Sequence, residues 1–222
     1  MKQFLVVMVL VCGAISAGRT QSKTVYGQSD PRAKALLDAV SKKFKTYRDV
    51  KADFVMKVEG EDNKVSDAKK GSVFLKGTKY KILIAGQEIY CDGKTTWTYN
   101  KDANEVQVNN YEPDNNTISP SKLFTNFYDK DFLYRMNKSV KENGKILEVI
   151  EMTPLNKSKP FFKVIVYVDK ANKNILRTTV FEKGGNRYTY EVSRFSPDIK
   201  MDDSLFVFDS RLHPKADVVD LR

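Results

Sequence analysis

The chain has 222 residues, 41% of them hydrophobic and 11% aromatic, and its 38 Lys and Arg against 28 Asp and Glu give a formal charge of +10. This apolar content can fill a sizeable core, which argues against intrinsic disorder. The single histidine, His213, excludes a multi-histidine metal site and leaves Ser-His or Cys-His catalysis only one possible base.

The first 17 residues have the three-part pattern of a secretory signal peptide. Lys2 precedes the apolar run 4–11, and small residues follow between positions 13 and 18. The run is far shorter than the roughly 20 residues that span a bilayer. We therefore expect residues 1–17 to be removed and the chain to be exported. Lipid attachment at Cys12 is an alternative, although Val11 stands where a lipoprotein signal has a small residue.

An amphipathic helix is predicted directly after a polar lead-in at 18–29. Asp30-Pro31 has the composition of a helix N-cap followed by Pro at the first helical position. Leu36, Val40 and Phe44 recur every four residues and form one apolar stripe. The helix should therefore pack by one side.

A periodicity of two begins at residue 50 and predicts β-strands. Apolar and mostly polar side chains alternate from Ala52 to Val58. Short glycine- or asparagine-containing turns separate the strands that follow, which is typical of an antiparallel meander. These further strands are predicted at 69–76, 79–85, 87–91, 94–99 and 105–109.

A second helix and a second group of strands follow. Ser119-Pro120 opens the predicted helix, which contains Phe124 and Phe127. Strands are then predicted at 132–136, 145–153, 161–168, 175–182, 187–194 and 206–208. About eleven strands and two helices indicate a mainly β (α+β) fold, with one large curved antiparallel sheet and helices on one face.

Such a sheet curls because strand twist accumulates, and its concave face must be filled by side chains, helices or a ligand. The available filling is aromatic and rich in methionine, which makes an apolar cavity plausible, with ordinary core packing as the alternative role of each residue. The candidates are Phe54, Met56, Tyr80, Trp97, Tyr99, Phe124, Phe127 and Met136.

Catalytic and metal-binding patterns are scarce, and we predict no catalytic residue, metal site or cofactor. The loop carboxylates show no spacing that singles out an acid/base pair. The lysines are scattered without a dense arginine cluster, which indicates a solvated surface and no nucleic-acid partner, with weak attraction to anionic headgroups as the alternative. His213 is expected to be exposed in a C-terminal tail, residues 211–222, and the protein to be a monomer.

Six segments match, in order, the motifs of one known family. They are Val50–Val58, Lys70–Lys76, Tyr80–Ile82, Cys91–Asn100, and the pair Asn186–Tyr190 with Asp202–Phe208 near the end. Together they resemble LolA, the periplasmic lipoprotein carrier, and its relatives. The most specific of them, Cys91–Asn100, resembles the family's Asp-Gly-Lys-x-x-Trp-x-Tyr hairpin. The similarity covers about residues 30–208, and it implies a binding domain at 30–210.

The resemblance implies an incomplete β-barrel lidded by helices, whose apolar interior holds the acyl chains of lipoproteins. It implies a periplasmic carrier, not an enzyme, that takes acylated lipoproteins from an inner-membrane ABC-type release complex to an outer-membrane acceptor. Two alternatives stay open. One is a lipid-binding or sensor paralogue of the same fold, and the other is a secreted hydrolase that uses carboxylates.

The chain departs from the family pattern at residues 76–82. The family has an Arg-Pro pair and a later Trp there, and the Arg ties the sheet to the lid. This chain has neither Arg nor Pro, and Ile82 stands in the place of the Trp, which makes it a further cavity candidate. Lys76 is a weak substitute for the Arg, because an ammonium lacks the planar fork of a guanidinium.

Overall fold

The computed structural model describes residues 29–60, 64–112 and 128–222. Its helices are α1 (Pro31–Phe44), α2 (Tyr128–Asp131) and two short 3-10 helices (Asp203–Phe206 and Ser210–Leu212). Its strands are β1 (Val50–Glu59), β2 (Val65–Lys76), β3 (Lys79–Ile84), β4 (Gln87–Cys91), β5 (Thr95–Asn100), β6 (Glu105–Asn110), β7 (Phe132–Met136), β8 (Val140–Glu142), β9 (Lys145–Pro154), β10 (Phe161–Asp169), β11 (Ile175–Glu182), β12 (Arg187–Pro197) and β13 (Asp217–Asp220). Most of the second predicted helix, including Phe124 and Phe127, lies outside the described residues.

The thirteen strands of the described residues belong to one open sheet. Their order is β13-β6-β5-β4-β3-β2-β1-β12-β11-β10-β9-β7, and β8 pairs with β9. Neighbouring strands are antiparallel, except that β13 runs parallel to β6. The predicted mainly β fold with a single large, unclosed sheet is therefore confirmed.

Cross-strand pairing assigns the side chains to two faces, because directly paired residues point to the same side of a sheet. One face, called here the helix face, carries Ala52, Val73 and Ile82 and, on β10, Val164 and Val166. The opposite face, called here the tail face, is covered on β4 to β6 by the C-terminal segment, where Phe208 contacts Tyr90 and Tyr99.

Helix α1 begins where the cap motif predicts and packs against the helix face. The Asp30 carboxylate accepts a hydrogen bond of 2.8 Å from the Arg32 backbone N–H, and the Asp30 N–H donates to the Tyr134 carbonyl at 2.8 Å. The buried Leu37 and Val40 then pack with side chains of β7, β9 and β10. The apolar stripe predicted from the sequence is thus the docking side of α1.

The strand predicted at 206–208 is wrong. Phe206 ends a 3-10 helix, in which the Leu205 N–H donates to the Asp202 carbonyl at 3.1 Å. Phe206 and Phe208 are buried and Val207 is 40% exposed, so the alternation that suggests a strand arises in a non-strand segment packed on the sheet. The last strand is β13, which lies within the segment predicted as a tail.

Two lysines of the β2–β3 hairpin fasten the C-terminal segment to the tail face. Lys76 Nζ lies 2.9 Å and Lys79 Nζ 2.7 Å from the Asp203 carboxylate, and Lys76 also donates to the Met201 carbonyl at 2.8 Å. Hydrogen bonds from Lys79 and then Lys76 lower the pKa of Asp203 to about 2. The segment is thus held by charge-assisted bonds.

In the part of the chain that the structure describes, none of the helices has the length and apolar character needed to cross a bilayer.

We expect Leu37→Ala to lower the free energy of unfolding by about 2–4 kcal/mol, because it leaves a cavity between α1 and the sheet. The matched control is Leu212→Ala, since Leu212 is 75% exposed whereas Leu37 is 4% exposed. The control should change stability by less than about 0.5 kcal/mol. Urea denaturation followed by circular dichroism measures both, and equal effects would contradict the docking role of α1.

We expect Asp203 to make the attachment of the C-terminal segment sensitive to acid. Its pKa is lower in the folded state than its ordinary value of 3.8, so its contribution is complete above about pH 4 and is lost as the pH falls through about 2. Asp203→Asn should therefore destabilise the protein at pH 5 and have little effect near pH 2. A difference between variant and wild type that is constant over this range would argue against the pairing.

Candidate functional site on the helix face

The central part of the helix face forms a half-buried apolar surface. Its side chains come from β1, β3, β4 and β12, which the register aligns on one side of the sheet. We call this set the apolar strip: Phe54, Met56, Val58, Ile82, Ile84, Ile89, Tyr188, Tyr190 and Val192. Each of these side chains has an intermediate exposure, so the strip is accessible without being fully solvated.

A glycine allows the Phe54 ring to lie directly on the neighbouring strand. Gly71 is the residue paired with Phe54 on β2, and a Cβ atom added there would come within 2.5 Å of Phe54 Cζ and 2.9 Å of the Leu83 carbonyl oxygen. The same ring lies 6.1 Å from the Tyr190 ring, measured between centroids. The strip is therefore flat over Gly71, because a larger residue would push the ring away.

The core beside the strip is closed and uncharged. Tyr80 is 7% exposed and Cys91 is fully buried, and the two residues are paired between β3 and β4. Burial raises the pKa of Tyr80, of Tyr190 and of the Cys91 thiol, so all three groups are protonated and neutral at physiological pH. Cys91 is thus a packing residue and not a reactive thiolate.

Charged groups are found at the rim of the strip. Lys69 faces Met56 and Asp67 faces Val58 across the β1–β2 pair, and these two charged side chains lie 3.1 Å apart. Within the described ranges 29–60, 64–112 and 128–222, no group of three His, Cys, Asp or Glu residues could hold a metal ion. The arrangement is suited to holding hydrocarbon, with charge only at its border.

The structure brings together some of the predicted cavity residues. Phe54, Met56 and Ile82 belong to the strip, and Tyr80 is buried beside it. Met136 lies at a distance, on β7, where it packs against the core formed with α1. Phe124 and Phe127 lie outside the described residues.

Trp97 and Tyr99 do not join this group, because they point to the tail face. Trp97 pairs with Tyr90 and Val108, whereas its neighbour Thr98 pairs with the strip residue Ile89. Tyr99 is buried, and its hydroxyl donates to the Asn104 side chain at 3.0 Å. The predicted set is thus divided between the two faces of the sheet.

His213 is also placed differently from the prediction of an exposed tail. Its ring lies 4.4 Å from that of Tyr99 and 5.1 Å from that of Phe208, between centroids, and the residue is half-buried. The prediction of an exposed histidine is therefore wrong. The C-terminal residues supply aromatic rings that cover β5, which composition alone did not indicate.

The contribution of β12 to the strip was not among the predictions. Tyr188, Tyr190 and Val192 alternate along this strand and face Val58, Met56 and Phe54 in turn. This alternation is visible in the sequence and could have predicted that β12 contributes to the strip. Lys76, expected as a weak substitute for the family's lid-binding Arg, lies on the tail face and binds Asp203 instead.

Comparison with known proteins supports the fold. The family model of the outer membrane lipoprotein carrier protein LolA matches residues 45–209. A comparison with curated proteins finds no match. An uncharacterized conserved protein from Thermus thermophilus superposes with a TM-score of 0.54 at 15% identity, covering 85% of this chain and 99% of the other.

Two further solved structures are similar. The lipoprotein LppX of Mycobacterium tuberculosis has a TM-score of 0.51 at 14% identity, covering 78% of this chain and 100% of its own. A LolA superfamily protein from Nitrosomonas europaea has a TM-score of 0.45 at 13% identity, covering 80% and 98%. Because the family model spans most of the chain, the chain belongs to the LolA family of outer membrane lipoprotein carriers.

Proposed function

We propose that the protein is a periplasmic carrier that holds the acyl chains of lipoproteins on the apolar strip. The observation that carries this proposal is the alignment of Phe54, Met56, Ile82 and Tyr190 in one accessible strip of apolar side chains on an open sheet. A buried methylene contributes about 0.8 kcal/mol, so that partial shielding of a long acyl chain outweighs most surface contacts. Membership of the LolA family supports the same cargo.

The structure around the strip favours reversible binding. The sheet is open, its two edge strands β13 and β7 are at opposite ends of the strand order, and Met56 supplies a flexible side chain that adapts to varied partners. Release of the cargo then requires no covalent step. This favours a carrier over a secreted hydrolase, because the described strip offers no acid/base pair to act on a substrate.

The route of the cargo is part of the proposal. An ABC-type release complex in the inner membrane would supply the acylated lipoprotein, and an acceptor at the outer membrane would take it. A second candidate is a lipid-binding paralogue of the same fold, which the same strip would serve with a free lipid as cargo. Mass spectrometry of material that co-purifies with the exported protein distinguishes these two cargoes.

We expect Ile82→Asn to weaken binding of a fluorescent triacylated lipopeptide by about tenfold, because it places an amide on the apolar strip. The matched control is Leu83→Asn, which makes the same change at the next position of β3. Both side chains are half-buried, but Leu83 pairs with Ser72 and Glu88 on the tail face. Titration by fluorescence anisotropy gives both affinities, and circular dichroism checks that both variants fold. Equal loss in the two variants would refute the assignment of the site to the helix face.

We expect the fluorescence of Trp97, the one tryptophan of the sequence, to be insensitive to acyl cargo. The residue packs on the tail face with the cluster that contains Tyr90 and Phe208. Phe208→Ala should shift the emission to longer wavelength, because it admits water beside the indole, whereas saturation with the lipopeptide should leave the emission unchanged. A large emission shift on lipopeptide binding would indicate that the cargo binds the tail face, which would contradict this proposal.

A further inference from the structure

Two neighbouring turns form a basic and apolar surface at one end of the sheet, beyond the end of the apolar strip that carries Tyr188. We call it the double hairpin. It consists of residues 154–163, which are the β9–β10 turn with the adjoining strand ends, and residues 181–187, which are the β11–β12 turn with the adjoining strand ends. The two turns are adjacent because β10 pairs with both β9 and β11, with Phe161 opposite Glu182.

The double hairpin carries strong positive charge. It contains the cations Lys157, Lys159, Lys163, Lys183 and Arg187 against one acid, Glu182. Arg187 lies 3.8 Å from the Glu59 carboxylate. No carboxylate of the described residues lies within ion-pair distance of the four lysines, which distinguishes this end from the tail face, where lysines are paired with acids.

Large apolar side chains project from the same surface. Phe162 is 48% exposed and Leu155 is 50% exposed. Lys163 Nζ lies 4.1 Å from the centroid of the Phe181 ring and 5.8 Å from that of Phe162, and the two rings are 6.2 Å apart. The cation is therefore held beside the half-buried Phe181 ring and the exposed Phe162 ring, an arrangement that combines charge with apolar contact.

Backbone hydrogen bonds hold the two turns together. The Lys183 N–H donates to the Pro160 carbonyl at 2.9 Å, and the Lys183 ammonium donates to the Lys157 carbonyl. The Glu182 N–H donates to the Asn186 carbonyl at 2.9 Å, which closes the second turn. The surface is thus preorganised and loses little conformational freedom on binding.

We propose that the double hairpin docks the protein on an anionic lipid bilayer. Exposed apolar side chains beside lysines that have no carboxylate partner are complementary to an interface where hydrocarbon lies beneath a layer of negative headgroups. The apolar groups enter the headgroup region while the lysines bind lipid phosphates. This surface is distinct from the apolar strip, so the proposal does not depend on which cargo the strip carries.

The test is co-sedimentation of the purified protein with vesicles of phosphatidylcholine that contain 30% phosphatidylglycerol. We expect binding that weakens by at least tenfold between 50 and 500 mM NaCl and is absent with pure phosphatidylcholine. The variant Lys157→Glu/Lys159→Glu should lose about tenfold or more in vesicle affinity. Phe162→Ser should also weaken binding, because it removes the apolar contact.

The matched controls make the same changes elsewhere. Lys94→Glu/Lys141→Glu reverses two exposed lysines outside the double hairpin, and Ile146→Ser removes a side chain that is 47% exposed. Both should bind vesicles as the wild type does, and circular dichroism shows that each variant folds. Retained lipopeptide affinity in the double-hairpin variants separates this proposal from the function of the strip.

Three outcomes would overturn the proposal. The first is an absence of binding to the anionic vesicles, and the second is an equal loss of vesicle affinity in the control and test variants. The third is binding of a soluble polyglutamate peptide as tightly as the vesicles, with no effect of Phe162→Ser on that binding, which would assign the surface to an acidic protein partner.

Discussion

The pairing of β1 with β12 is the constraint on which the rest of the structure depends. It joins the sheet half built from β2 to β6 with the half built from β7 to β11, and it sets which residues of the two halves share a face. The register shifts between Asp53 and Phe54, and Ser193 is the extra residue on β12. Because of this bulge, Phe195 and Val192 point to the same side although they are three residues apart. The bulge therefore keeps Phe195 and the apolar strip on one face of the sheet.

The sequence predicted the elements well and the composition of the site only in part. The cap at Asp30 and the alternation from Ala52 to Val58 are local signals, and both led to the right element. The division of Trp97 from Phe54 depends on register across four strand pairs, which no local pattern contains. Thr96 and Thr98 face the helix side, so the most aromatic positions of β5 face away from it.

The two faces of the sheet differ in where their charged side chains lie. On the tail face, Glu88 lies between Lys81 and Lys101, at 3.6 and 2.7 Å, and burial that would raise its pKa is outweighed by hydrogen bonds from Lys101 and Tyr90, so that the pKa is lowered. On the helix face, the central side chains are hydrocarbon or neutral phenol. Ion pairs thus fix the C-terminal segment in place, whereas the Lys69–Asp67 ion pair of the helix face lies at the rim of the strip, beside its apolar centre.

The parallel pairing of β13 with β6 has a consequence for biogenesis. Strand β13, Asp217–Asp220, covers an edge formed more than a hundred residues earlier in the chain, and all four of its residues are exposed. During vectorial synthesis or threading through a membrane pore, β6 emerges long before its cover and offers unpaired backbone to any passing strand. The newly made chain is therefore most prone to self-association until β13 has formed. A chaperone that binds the chain during this interval would prevent the most self-association.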